Sequence, residues 1–317
     1  MFYVNIANLN TEGYTKQRVN FSESRNPTNS NNVFSIIQSM AGANVDSLAA
    51  YTDNSGFKNV INSNTDAQYY NTLADSLNQL ENIADDLGDN GLNSLLNKFF
   101  TASSNLEQFP TDLSMRQQYV MALQDVCDKF NYISNQYDNV LNENVNNASE
   151  SVSAVNSLLS NIATLNNSYI KNQASSIDNE IKSSIEELSN YLNVSYDKNN
   201  NGTYNIYVAG FAVVQGSEQL YNLQSSYDSS NTNSELSFSL KSIKNPSEVI
   251  TDGINESITS GSLKAKIEFL NGTNGKYSNI NDMKNAIDSA AVSFIQGLNA
   301  IQTYKNDTDE TYAAYLT

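Results

Sequence analysis

Between about residues 112 and 172 the sequence keeps one apolar rhythm, and that run constrains the fold more than any other feature. Tyr119, Leu123, Val126, Phe130, Ile133, Tyr137 and Val140 step by four and three. Leu141, Val145, Ala148, Val152, Val155, Leu159, Ile162, Asn166 and Tyr169 continue it one residue out of phase. Such spacing lays a stripe along one face of a helix, and the stripe has to be buried against a partner helix. The 3-4-4 step across Phe130, Ile133, Tyr137 and Leu141 is an eleven-residue spacing that locally unwinds a left-handed supercoil. At 1.5 Å per residue the helix is about 90 Å long, which suits a rod better than a compact domain. The pair Asn146 and Asn147 is a candidate break, because Asn is a poor helix former.

The same rhythm supplies partner helices. Leu73, Leu77, Leu80, Ala84 and Leu87 predict one from about residue 67, stopped at Gly88 and Gly91. Leu92, Leu95, Leu96, Phe99, Phe100 and Leu106 predict the next. Pro110 ends it, and Thr111 or Asp112 is placed to cap the long helix. Ile177, Ile181, Ile185, Leu188 and Leu192 predict another, and a last one runs from Ile280 to Ile301. Between these two the period falls to two. TYNIYV, FAVV, LYNL and ELSFSLKSI read as short strands separated by Asn, Gly and Ser turns, and residues 258–270 as a strand or a helix start. Residues 1–32 lack periodicity and read as extended or loop chain, while residues 33–65 are ambiguous. The expected fold class is α+β, mainly α: a long antiparallel, coiled-coil-like helical bundle with an inserted mostly-β domain. The expected divisions are an extended assembly segment at 1–66, the first part of the bundle at 67–192, the β-rich insert at 193–272 and the second part of the bundle at 273–317.

Composition narrows function. Asp and Glu number 34 against 17 Lys and Arg, for a net charge of −17, a field that repels phosphate backbones and anionic membrane surfaces. The chain has no His and one Cys, Cys127. It therefore lacks the commonest general base and any intrachain disulfide or CxxC metal site. With no phosphate-binding glycine loop either, it reads as a non-enzyme without cofactors. The start has neither the basic nor the apolar region of a Sec signal peptide.

Several residues invite sharper readings. Asp197, Asn199, Asn201 and Gly202 match the first half of a calcium loop, but Val208 stands where the bidentate Glu belongs, so a polar hairpin turn is the better reading. Glu180, Glu186 and Glu187, like Asp85, Asp86 and Asp89, read as solvated helix faces. Cys127 follows a core position and reads as a small half-buried hydrophobe. Tyr119, Tyr137 and Tyr169 read as seam packing.

NIANLNTEGYTKQRV at residues 5–19 is similar to the N-N-I-A-N-x-N-T-x-G-Y-T-R-Q signature of flagellar rod, hook and junction proteins. Asn5, Asn8, Asn10, Gly13, Tyr14 and Gln17 fall on it. Residues 99–131, FFTASSNLEQFPTDLSMRQQYVMALQDVCDKFN, resemble the F-F-x-A-x-x-x-L-x-x-x-P-x-D-x-x-x-R-Q segment of the hook-associated junction family, with Phe99, Phe100, Pro110, Asp112, Arg116 and Gln117 in register. Residues 155–170, 202–220 and 260–271 and the closing FIQGLNAIQ resemble further segments of that family in order. The family's D-x-R-D element survives only as Asp178-Asn179-Glu180, and Gln302 replaces its usual His. The sequence starts almost on the signature and stops at Thr317, so a fragment or a short form lacking the family's terminal regions is expected.

The resemblance to flagellar hook-associated protein 1 implies a structural subunit, exported by the flagellar type III route and extracellular on the flagellum. It implies a ring of subunits joining hook to filament. The partners it implies are other copies of the chain, the hook protein, the second junction protein on the filament side and an export chaperone, with no cofactor, nucleic acid or membrane. Another axial protein, hook or distal rod, would share the 5–19 signature but not the 99–131 segment. A secreted coiled-coil adhesin would share the helices but not the signature.

Overall fold

A computed structural model describes residues 2–7, 17–23, 43–50, 54–84, 88–228, 231, 234–245, 249–251, 253–272 and 279–302. The order is α1 (Phe2–Ala7), β1 (Gln17–Glu23), β2 (Ala43–Ala50), α2 (Asn54–Ala84), α3 (Leu92–Gln108), α4 (Leu113–Lys171) and α5 (Ser175–Ser189). Strands follow: β3 (Val194–Lys198), β4 (Tyr204–Val208), β5 (Phe211–Gln215), β6 (Glu218–Gln219), β7 (Tyr221–Ser226), β8 (Ser237–Ser242) and β9 (Val249–Thr251). A 3-10 turn (Asn255–Ser257), α6 (Ser262–Asn271) and α7 (Ile280–Gln302) complete the described chain. The fold is mainly α with an inserted β region. Among the described residues no helix is long and apolar enough to cross a membrane.

The long helix is real and unbroken: α4 runs 59 residues straight through Asn146 and Asn147. Its stripe behaves differently from the sequence reading. Tyr137, Val140, Asn144, Ala148, Val152 and Val155 are buried, whereas Leu141 and Val145 are only half-buried. Three consecutive steps of four thus replace the expected slip at Leu141. Each step of four carries the stripe about 40° around the helix, and a step of three returns it by about 60°. The stripe therefore drifts to a new face across 140–152, and Asn144 occupies the middle of the drift. There it donates to the Val140 carbonyl at 2.9 Å and to Gln79 Oε1 at 3.2 Å, and it accepts from the Ser76 hydroxyl at 3.2 Å.

Three other expectations shift. Helix α2 starts at Asn54, not near residue 67. Gly and repeated Asn over 54–66 lower intrinsic helicity, but burial of Ile61 and Thr65 overrides it. The described parts of residues 1–66, expected as extended chain, are the short helix α1, the β1–β2 ladder and the first turns of α2. That ladder is antiparallel, with Gln17 opposite Ala50 and a bulge at Asn20/Phe21. The segment left open as strand or helix start is helix α6.

The chain divides into two compact units. The first comprises Met1–Ala67, Ala154–Asn222 and Lys241–Glu248. Its core takes Val155, Leu159 and Ile162 from α4, Ile181 and Ile185 from α5, and alternate residues Tyr204, Ile206 and Val208 from β4. Strands β3 to β6 form its antiparallel sheet in sequence order. The second comprises Gln68–Ser153, Leu223–Leu240 and Val249–Thr317. Leu95 and Phe99 of α3, Leu123, Val126 and Phe130 of α4 and Leu298 of α7 form one apolar cluster in it.

Candidate assembly surface

Of the N-terminal signature, Asn5 ends up on α1 and Gln17 opens β1. Asn8, Asn10, Gly13 and Tyr14 lie outside the described residues, as do Asp85 and Asp86. The second family segment is fully described and builds one feature, the antiparallel α3–α4 hairpin. The Asp112 N–H donates to the Phe109 carbonyl at 3.1 Å, closing the turn that contains Pro110. Asp112 Oδ1 then accepts from the backbone N–H groups of Ser114 at 2.7 Å and Met115 at 3.3 Å, the bonding pattern of an N-cap. Arg116 Nε donates back to the Pro110 carbonyl at 2.8 Å. Pro110, Asp112 and Arg116 are thus one local device that ends one helix and starts the next, while Gln117 is exposed. Asp112→Ala is expected to lower stability by about 1 kcal/mol, and Asp112→Asn to keep most of it, because Asn caps as well as Asp. Urea titrations of both variants check this.

Phe99 and Phe100 have opposite fates. Phe99 is buried and meets Tyr119, Phe294 and Phe100 at ring-centroid distances of 5.3, 5.4 and 5.5 Å, in the tilted and edge-on range that aromatic pairs prefer. Phe100 is 60% exposed. Beside it a groove of about 640 Å³ is lined chiefly by Phe99, Phe100, Leu106, Pro110, Tyr119 and Phe294. Phe109, Leu113, Val120 and Met121 add further exposed apolar side chains along the hairpin. Exposed apolar surface on this scale marks an interaction site.

The first unit holds a buried polar network that sequence reasoning did not find. Asp178 on α5 binds Lys182 at 2.7 Å, Lys198 of β3 at 2.5 Å and the Tyr204 hydroxyl at 2.8 Å. Burial pushes the Asp178 carboxyl up, but the bonds from Lys182 and Lys198, the Lys182 charge and the Tyr204 hydroxyl outweigh it and hold it below the usual carboxylate range. The Tyr204 phenol is pushed up, by burial first and then by Asp178. Nearby, Asn166 of α4 donates to the carbonyls of Tyr204 at 2.7 Å and Gly216 at 2.6 Å and accepts from the Tyr204 N–H at 2.9 Å. The one available signal for it was a polar residue on an apolar stripe.

The other weighed residues have structural roles. The 197–202 loop is the β3–β4 hairpin turn: Asn201 Oδ1 accepts from the Thr203 N–H and hydroxyl, and the Asn199 N–H donates to the Thr203 carbonyl. Gly202 has φ +86°, and a Cβ there would meet the Tyr169 ring at 2.2 Å, so only Gly fits. Glu180 and Glu187 are exposed, whereas Glu186 is half-buried and accepts from the Asn64 amide. Cys127 packs against the α3–α4–α7 cluster, and burial, then Asp128, pushes its thiol up. Tyr137 is buried in the stripe. Among the described residues no group of three His, Cys, Asp or Glu side chains is placed to hold a metal.

The model of the flagellar hook-associated protein FlgK helical domain matches residues 77–314. Flagellar hook-associated protein 1 of Bacillus subtilis (strain 168) is 34% identical over 164 residues, covering 51% of this chain and 32% of that protein. The solved structure of the flagellar hook junction protein FlgK from Burkholderia pseudomallei shares the fold at a TM-score of 0.63 and 19% identity, over 77% of this chain and 43% of that one. The chain thus spans less than half the length of either relative.

Proposed function

Since the chain belongs to the flagellar hook-associated protein FlgK family, we propose that it is a structural subunit of the junction between flagellar hook and filament. The family is structural, and its members are extracellular components of the flagellar axis. The observation that carries the reading is the family match across 77–314, which includes the α3–α4 hairpin with its capped turn and apolar groove. This chain acts without catalysis. It packs against copies of itself and against the hook protein on one side and a second junction protein on the other, after delivery by an export chaperone. The residues of the N-terminal signature, Asn5, Asn8, Asn10, Gly13, Tyr14 and Gln17, belong to the assembly segment. The helices of 67–192 and 273–317 bear load along the axis, and the β-rich 193–272 segment is carried by them.

A domain exchange tests this. Residues 77–314 replace the matching region of a junction protein in a flagellated strain that lacks its own. The chimera is expected to be exported, to hold filaments on hooks and to restore swimming. A version with residues 99–117 scrambled is expected to leave bare hooks. An exported, folded chimera that leaves every hook bare refutes the junction role.

A further inference from the structure

The groove of the second unit has a chemistry that packing alone does not require. Four aromatic rings, Phe99, Phe100, Tyr119 and Phe294, line one recess of about 640 Å³. Phe99 lies within 5.5 Å, centroid to centroid, of each of the other three. Phe100 is 60% exposed, so its ring is open to whatever enters. Glu107 is the one charged residue in the lining, and no basic residue joins it there. Among the described residues its carboxylate has no ion-pair partner. The remaining polar side chains of the lining are hydroxyls, those of Ser103, Ser293 and Tyr119.

Charge and shape together select the occupant. Aromatic faces are negative and attract cations. An unpaired carboxylate beside them adds to that pull, and the −17 chain supplies a field of the same sign. A bare ammonium is strongly hydrated and would find few acceptors here to replace its water. An alkylated ammonium holds water weakly and can bring apolar surface with it. The recess lies in the range of small-molecule clefts, about 300–1,000 Å³, and is larger than any single side chain that a protein could insert. We propose that this groove binds a small organic cation, an alkylated ammonium bearing an apolar group. Glu107 and the aromatic rings hold the charge, and the apolar group fills the rest of the recess. The inference goes beyond the junction role and does not rest on it.

The test is a ligand-observed NMR titration of the 317-residue chain with probes of similar shape and different charge. Benzyltrimethylammonium is the cation, 2,2-dimethyl-3-phenylpropan-1-ol the neutral counterpart and phenylmethanesulfonate the anion. The cation is expected to bind about tenfold more tightly than the neutral probe, as cation–π contacts and a carboxylate allow, and the anion not to bind. Glu107→Gln is expected to remove most of that preference while leaving the neutral probe's affinity unchanged. Phe100→Ala is expected to weaken both. Glu187→Gln takes the same charge from an exposed α5 position and is expected to behave as the wild type. All three substitutions fall on exposed side chains, and thermal melts verify that the fold is kept. Equal affinity for the cation and the neutral probe overturns the proposal, as does a cation that does not bind at millimolar concentration. A preference that Glu107→Gln and Glu187→Gln reduce alike also overturns it, because the selectivity then comes from the field of the whole chain. The chimera experiment has its own readout, so the junction role stands or falls separately.

Discussion

Asp178→Asn is expected to lower the stability of the chain by about 3–5 kcal/mol, the usual cost of removing one partner of a buried ion pair. The Asp178 carboxylate is 4% exposed and holds three donors at once. The two lysines differ in what they lose. The Lys182 side chain is 6% exposed, so with an amide opposite it the ammonium stays buried beside a neutral group. The Lys198 side chain is 39% exposed and can turn to water, so its share is small. Adding Lys182→Met removes a buried ammonium and should recover part of the loss, because leaving one charge of a buried pair in place is the costly part of breaking it. That recovery separates an electrostatic cause from a packing defect. Urea denaturation followed by circular dichroism measures it. A single variant within about 1 kcal/mol of the wild type would remove Asp178 from the account of what holds β3 and β4 to α5.

The direction of the Asp178 shift also fixes a pH dependence. Its folded value is lower than its unfolded one, so the folded chain takes up this proton less readily than the unfolded chain. The stabilisation is fully present above the unfolded carboxylate value of about 3.9 and is lost as pH falls through the folded value. The gap between wild type and Asp178→Asn should therefore stay constant from neutrality to about pH 5 and narrow below about pH 4.

How much of this was legible beforehand depended on the physical origin of each feature. Helices α3, α4, α5 and α7 were legible because their burial is apolar and periodic, and periodicity survives in one dimension. The cap at Asp112 was legible because capping is local. The start of α2 was not: Asn54 to Asp66 has poor intrinsic helicity, and burial of Ile61 and Thr65, a tertiary effect, decides it. The drift of the α4 stripe was misplaced because Leu141 and Val145 are apolar while Asn144 is polar, yet Asn144 is the buried one. Apolarity alone gives the wrong answer wherever a polar side chain is buried with its partners supplied. For the candidate surface, the family segment 99–117 located the hairpin, but nothing in it separated buried Phe99 from exposed Phe100. That distinction comes from α7, a long way off in sequence.

The chain is rich in Asn, and the structure puts several of these amides to work. An Asn amide has the donor and acceptor of a peptide group and can stand in for a missing strand neighbour. Asn271 accepts from the Leu236 N–H and donates to the Leu236 carbonyl, at 2.7 and 2.9 Å. Asn255 accepts from the Phe238 N–H at 2.8 Å and donates to the Leu236 carbonyl at 2.7 Å. Asn166 does the same for Tyr204 and Gly216, fully buried. Asn166→Leu keeps the volume but orphans a buried N–H and two carbonyls. At about 1–3 kcal/mol for each unsatisfied group, the expected loss is about 3 kcal/mol or more. Asn166→Asp is worse at neutral pH, because a buried carboxylate then faces two carbonyl oxygens that can only accept. Burial and those oxygens raise the folded value of that carboxyl, so protonation favours the folded state and stability should rise as pH falls. This is the opposite slope to that contributed by Asp178, and paired urea titrations at neutral and mildly acidic pH read both. If Asn166→Leu is as stable as the wild type, or Asn166→Asp shows no acid recovery, the strand is held by its apolar face alone and the amide bridge is incidental.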